Sequence, residues 1–180
     1  MKLYKIPISQ IEFDDETFRL GLSKDISSVL NSIKEVGMIN PPVLREKENK
    51  YQIISGYKRL KACKELGIEE VFSRFYKSDE ISNEECLKIV FYENQERLGD
   101  MGKAELLLIF KRLCGLEQSE LTQRVLPFLG ILPSRKNFER YMRLAELEKE
   151  IKAAFYSEKI TIEQAIILSE VEDPIRIEIQ

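Results

Sequence analysis

The sequence predicts an α+β domain with a small sheet over residues 1–99, followed by an all-α domain over residues 100–180. Three observations carry that reading. Short apolar runs broken by turn residues fill the first part of the chain. Beyond about Asp100 the apolar residues recur at helical spacing and no strand signal appears. Between the two regimes stand Gly99 and Gly102, a natural boundary.

In chain order, Leu3 to Ile8 reads as a short strand. Ile26 to Val36 places apolar residues at 26, 29, 30, 33 and 36, which is helical spacing, and Gly37 falls where a C-terminal cap belongs. Pro41 and Pro42 prevent that helix from resuming. Val43 to Arg45 and Tyr51 to Ile54 flank the polar turn EKENK as a hairpin, closed by Ser55-Gly56. Leu60 to Leu66 is a helix stopped by Gly67, Val71 to Tyr76 a strand, and Asn83 to Asn94 a helix. In the second half, helices are predicted over Lys103 to Leu113, Ser119 to Leu129 with an interruption near Pro127, Ser134 to Leu147, Glu148 to Tyr156 and Thr161 to Glu170. Ser119, Ser134 and Thr161 are N-cap residue types, and Thr161 precedes Gln164 at capping-box spacing. The final Ile177 to Gln180 carries no cap or tail composition, as expected of a fragment of a longer protein.

Composition narrows the chemistry. With 43% hydrophobic and 33% charged residues over 180 positions, the chain is an ordinary soluble globular sequence rather than a fibrous or disordered one. The longest apolar stretch, Leu106 to Phe110, is far short of a membrane span, and the N-terminus lacks a signal-peptide core, so a cytoplasmic protein is expected. Cys63, Cys86 and Cys114 form no CxxC, and their odd number argues against a disulfide framework; they are read as small buried residues. The absence of histidine removes Ser-His-Asp and Cys-His catalysis and His-bearing zinc sites. A net charge of −3 is a poor match for unselective coating of nucleic acid, though a local basic face is compatible with it.

Two segments concentrate chemistry. In Tyr51 to Ala62 a strand runs into Gly56 and a helix follows directly, with Lys58 and Arg59 in its first turn. Free N–H groups and the positive end of the helix dipole attract anions there. Cations at that end are unfavourable unless something negative binds, so the pattern suits a phosphate; the alternative is a solvated basic face. In Phe91 to Arg97, Glu93, Asn94 and Arg97 place a carboxylate, an amide and a guanidinium within five residues. Such a set can hold a metal ion and a phosphate oxygen, or form a plain polar helix terminus.

Together with Gly37-Met-Ile-Asn-Pro-Pro-Val-Leu-Arg45, these segments resemble the N-terminal domain of the ParB family, which shares its fold with sulfiredoxin. The resemblance runs from about Leu3 to Arg97, with the motifs in the family's order: roughly GLxQPxxVR, GERRxRA and ENxQR. It implies a CTP-binding module gripping the triphosphate and Mg²⁺. Gly37 and Pro41 match the first motif, near the nucleobase. Gly56, Lys58 and Arg59 match the phosphate loop, and Glu93, Asn94 and Arg97 the third motif, with Glu93 and Asn94 as metal ligands. Tyr57 stands where chromosomal members carry a Glu implicated in hydrolysis, and Glu96 where they carry Gln, so the resemblance implies at most a weak CTPase. Sulfiredoxin activity is not expected, because the nearest cysteine, Cys63, lies seven residues beyond Gly56.

The second half resembles the same family's helix-turn-helix domain, with Ser134 to Leu147 as the recognition helix. At 100° per residue, Arg135, Lys136, Glu139, Arg140 and Arg143 share an arc of about 140°, while Phe138, Tyr141, Met142 and Ala145 occupy one of about 100° opposite. Residues 133–143 hold four cations against one anion. Arg135, Lys136, Asn137, Arg140 and Arg143 are therefore the expected DNA-facing residues. The segment VLPFLGILP before Ser134 is longer and more apolar than the family's tight turn. The resemblance implies double-stranded DNA and nucleotide as partners, a homodimer, and room for a partition ATPase, in plasmid or chromosome partition or transcription control at the nucleoid or a plasmid. The rival readings are a nucleotide-dependent phosphotransferase or nuclease on the same fold, and an interaction module with an inactive pocket.

Overall fold

The computed structural model describes residues 2–21, 25–157 and 159–170. The expectation for Ile177 to Gln180 lies outside these residues. The chain forms two compact units, Met1–Gln95 and Glu96–Gln180.

The first unit is built on a five-stranded mixed sheet of order β1-β5-β3-β4-β2. Its strands are β1 (Tyr4–Pro7), β2 (Ile11–Glu12), β3 (Val43–Lys47), β4 (Lys50–Ser55) and β5 (Glu70–Tyr76). The central β3 pairs antiparallel with β4 and parallel with β5, with Val43 opposite Arg74. Helices α1 (Ser27–Val36), α2 (Tyr57–Glu65) and α3 (Asn83–Asn94) complete the unit. Ile26 and Ile33 of the α1 region and Leu60, Ala62 and Cys63 of α2 join Ile6, Ile11, Leu44, Ile53 and Val71 of the sheet in one core cluster. Helix α3 packs against β4 and buries Cys86, Leu87 and Val90. Val43 and Leu44 are both 0% exposed, as are neighbouring residues of a strand only when both faces of the sheet are covered.

The hairpin turn is tighter than EKENK suggests. Strand pairing continues to Lys47 opposite Lys50, leaving Glu48 and Asn49 at the tip, with Glu48 at a left-handed φ of 55°. The charged strand ends are satisfied in place: Lys47 pairs with Asp15 at 2.7 Å and Lys50 with Glu12 at 3.0 Å. Helix α2 starts three residues earlier than Leu60 because Gly56, with φ +96°, turns the chain straight from β4 into the helix. Gly37 caps α1 as expected, its N–H donating to Ile33 O at 2.9 Å.

The second unit consists of α4 (Asp100–Cys114), α5 (Gln118–Glu120), a π-helical turn Leu121–Val125, α6 (Leu126–Phe128), α7 (Arg135–Ala145), α8 (Lys149–Tyr156) and α9 (Ile162–Glu170). Helix α4 packs on α7, burying Met101, Leu106, Leu107 and Phe110 on one and Phe138, Tyr141, Met142, Leu144 and Ala145 on the other. The interruption near Pro127 takes the form of a wide turn rather than a break. The Leu126 N–H reaches back to Leu121 O, an i→i−5 bond, and the helical path continues through proline, which has no N–H to place. Ser119 is not the cap here: Glu117 is, in a reciprocal box with Glu120. Ser134 caps α7, accepting from Asn137 N–H at 3.1 Å, and Thr161 and Gln164 form the predicted box. Cys63 and Cys86 are buried, whereas Cys114 is half-buried at the end of α4.

Candidate functional site

Three sequence-distant segments meet where β4 turns into α2. A Cβ added at Gly56 would stand 2.7 Å from Pro42 Cβ and 3.1 Å from Pro42 Cα, so the left-handed turn and the tight contact both require glycine. One turn into α2, Arg59 Nη1 donates to Asn40 O at 2.6 Å and lies 3.5 Å from Pro41 O, tying the helix to the Asn-Pro-Pro segment. Its Nη2 reaches Glu93 Oε2 at 3.3 Å, near the end of α3. Thus Pro41, Gly56, Arg59 and Glu93, one or more from each motif, are brought together.

Of the other expected residues, Gly37 closes α1 upstream of this cluster, and Lys58 is exposed in the first turn of α2. The Asn94 amide nitrogen donates to Val90 O at 2.7 Å, which leaves its oxygen as an acceptor. Arg97, exposed in the 3₁₀ turn Gln95–Arg97, belongs to the second unit. Tyr57 is turned to packing: its ring stands edge-on to Phe13 at 6.3 Å between centroids, and the Arg19 guanidinium lies 4.4 Å from its centroid.

Two residues at the site lie outside the expected set. Arg74 of β5 forms an ion pair with Glu93 Oε1, and its backbone N–H donates to Pro42 O at 2.9 Å. Ser55, buried at the end of β4, stands with its hydroxyl 3.5 Å from Glu93 Oε2. One carboxylate therefore serves two guanidiniums, and the cluster of Arg59, Arg74 and Glu93 carries a net positive charge beside the start of a helix. That combination accepts anions.

The donor set bears on a metal in one way only. Among the described residues, no group of three or more Cys, Asp or Glu could hold an ion unaided. Glu93 and Asn94 supply one carboxylate and one amide oxygen, which fits Mg²⁺ when phosphate oxygens and water complete an octahedral shell.

A polar chain links the β3–β4 hairpin to the start of α3. Asp15 accepts from Lys47 and, at 2.8 Å, from Gln52; Gln52 accepts from Arg45 at 2.7 Å; and Arg45 donates to Asn83 at 2.9 Å. This ties the third residue of the first motif's Val-Leu-Arg to the start of α3, whose far end carries Glu93. Burial acts to raise the pKa of Asp15, but hydrogen bonds from Lys47, Thr17 and Gln52 overcome it and lower the value to about 2.

In the second unit, Arg135, Lys136 and Arg143 are exposed on α7 and Arg140 half-exposed, while Phe138, Tyr141, Met142 and Ala145 are buried on its other side. Arg135 pairs with Glu139 at 2.7 Å along the helix, and Arg140 with Glu163 of α9 at 2.8 Å. The Asn137 amide donates to Leu132 O at 2.8 Å, bracing the entry into the helix. Lys152 of α8 donates to Ala145 O at 2.6 Å, satisfying the C-terminus of α7.

The fold and site define a class: a mixed-sheet domain with a glycine turn open to anions, joined to a helical unit with one basic helix face. Residues 1–95 match the ParB N-terminal domain, and the chain belongs to that family. It is 29% identical over 165 residues to a probable chromosome-partitioning protein ParB of Chlamydia muridarum, covering 86% of this chain and 55% of that protein. The chain thus spans about half the length of the curated relatives it matches. Its fold is similar to a pNOB8-like ParB N-domain, with a TM-score of 0.58 and 18% identity over 93% of this chain and 74% of that one. A second fold match is the C-terminally truncated ParB of Caulobacter crescentus complexed to the centromeric parS site, with a TM-score of 0.51 and 21% identity over 96% and 87% of the two chains.

Proposed function

We propose that this chain is the nucleotide- and DNA-binding part of a ParB-like partition protein, which binds CTP with Mg²⁺ in the first unit and double-stranded DNA through α7 in the second. The observation that carries the reading is the convergence of the three motifs on Arg59, held by the Asn40 and Pro41 carbonyls and facing Glu93 beside the Gly56 turn. Lys58 and Arg59 supply cations for the triphosphate. Glu93 and Asn94 hold the Mg²⁺ that accompanies it, and the ion supplies charge neutralisation on the phosphates. Gly37 and Pro41 border the nucleobase. Tyr57 offers no carboxylate to position water, so hydrolysis is weak.

Arg135, Lys136, Asn137, Arg140 and Arg143 face the duplex, with the N-terminal residues of α7 nearest the base edges. Nucleotide favours self-association into a homodimer that holds DNA, and a partition ATPase is its further partner. The site of action is the cytoplasm, at the nucleoid or a plasmid. Support for the DNA reading comes from the Caulobacter crescentus relative complexed to parS. No helix among the described residues is long and apolar enough to cross a membrane. The test is a selection of random duplexes by the protein, followed by anisotropy titrations of the enriched site with and without CTP and Mg²⁺. Enrichment of a defined site, with affinity that depends on CTP, is expected; no enrichment in either condition would refute the DNA reading.

A further inference from the structure

We propose that Arg74 is a phosphate-contacting residue of the nucleotide site, and that Glu93 occupies its guanidinium as an internal stand-in for phosphate until ligand arrives. The proposal rests on the nucleotide reading above. It concerns a residue that none of the three motifs contains.

The case begins with β5. Arg74 lies opposite Val43 in the parallel pair, and its N–H bonds to Pro42 O. Pro42 is the residue against which the Gly56 turn is closed, so the sheet fixes the Arg74 backbone directly beside the anion-facing turn. Its side chain, 26% exposed, then meets Glu93 from one side while Arg59, 22% exposed, meets it from the other. Two guanidiniums this close repel each other except through the anion between them. One carboxylate is a sparse anion for that task. The Arg59 contact to Glu93 is long at 3.3 Å, whereas its contact to Asn40 O is 2.6 Å, so Arg59 is placed chiefly by backbone. The Arg74 Nε–H is buried and has no hydrogen-bond partner among the described residues.

A guanidinium offers five N–H donors in a planar fork that matches phosphate oxygens. A polyphosphate entering beside Gly56 brings several charged oxygens to the space between the two arginines. The exchange is one of ion pairs: Arg74 and Arg59 pass from the carboxylate to the phosphates, and the Glu93 carboxylate is released to face the ion that accompanies them. Arg74 thereby reports on the number of phosphates, because a shorter chain leaves one of the two guanidiniums on Glu93.

The experiment uses the full chain and calorimetric titration with CTP, CDP and inorganic tripolyphosphate, each with Mg²⁺ and again with EDTA, on the unmodified protein and on Arg74→Ala, Arg74→Lys and Glu93→Gln. Thermal melting of each checks folding. Arg74→Ala is expected to weaken CTP and tripolyphosphate about 10- to 100-fold, the range for losing a charge-assisted contact, and to narrow the preference for CTP over CDP. Arg74→Lys should recover part of the loss. In EDTA, Glu93→Gln should bind tripolyphosphate more tightly than the unmodified protein, because the internal competitor is gone. Should Arg74→Ala not fold, the Arg74→Lys and Glu93→Gln results decide. Unmodified CTP binding that is unchanged in the Arg74 variants, or a Glu93→Gln protein that binds more weakly in EDTA, overturns the proposal. Tripolyphosphate binding that needs Arg74 without any binding of CTP supports the proposal while refuting the nucleotide reading. Binding of neither ligand overturns both.

Discussion

Asp15 shows how a single carboxylate outside the motifs ties the β3–β4 hairpin to the chain before α1, accepting from Lys47 and Gln52. Its pKa of about 2 lies below the ordinary value of 3.8, so the folded protein gains stability from its ionised form at neutral pH. The sign follows from linkage: that stability is fully present above about pH 4 and is lost as pH falls towards 2. Asp15→Asn should therefore lower stability at pH 7 by on the order of 1–2 kcal/mol and flatten the acid limb between pH 4 and 2, as followed by urea unfolding across pH. Tyr57 supports a second expectation at this scale. Phosphate release from CTP should be barely above background with or without DNA, and Tyr57→Glu should raise it; brisk turnover by the unmodified protein would mean that another residue positions the water. Motif residues were readable because their chemistry is compressed into short runs. Arg74 was not, because a lone arginine in Val71-Phe-Ser-Arg-Phe-Tyr76 carries no sign of which strand lies beside it. Asp15, Gln52 and Arg45 are linked only by strand pairing, and the spacing between them in the chain says nothing of it.

At the level of elements, the β4–α2 junction decides the site. Gly56→Ala introduces both a strained left-handed φ and a Cβ at 2.7 Å from Pro42. It should destabilise the protein by about 1–3 kcal/mol and displace Arg59, which thermal melting and CTP titration would register together. Helix α7 makes the corresponding case for DNA. Reversing Arg140 and Arg143 to Glu should weaken binding to every duplex and lower the salt dependence by about two ions' worth, whereas changes at Lys136 or Asn137 should also shift sequence preference. Unchanged affinity after both reversals would place the DNA surface elsewhere. Helical spacing made α1, α3 and α7 legible, down to the buried face of α7, because an amphipathic helix writes its packing into its own sequence. The two-residue strand β2 and the π turn at Leu121–Val125 were not legible: the first is too short for any period, and the second is set by how the path accommodates Pro127.

For the whole molecule, the strand order β1-β5-β3-β4-β2 is what brings the distant segments together. It sets β5 beside β3, and so brings Arg74 to Pro42 across a gap of some thirty residues in sequence, an arrangement that local pattern does not encode. The expected fold class, an α+β domain followed by a helical one, agrees with the sheet and helices observed and with the ParB N-domain folds it resembles. On the proposed reading, the Asn-Pro-Pro segment, the Gly56 turn and the end of α3 form one CTP site. Calorimetric titration of the full chain with CTP and then ATP, GTP and UTP in Mg²⁺, with Arg59→Ala beside it, tests this most directly. Selective binding of CTP, weakened about 10- to 150-fold by Arg59→Ala, is the predicted result. No binding of CTP, or equal binding of all four nucleotides that Arg59→Ala leaves unchanged, would contradict it.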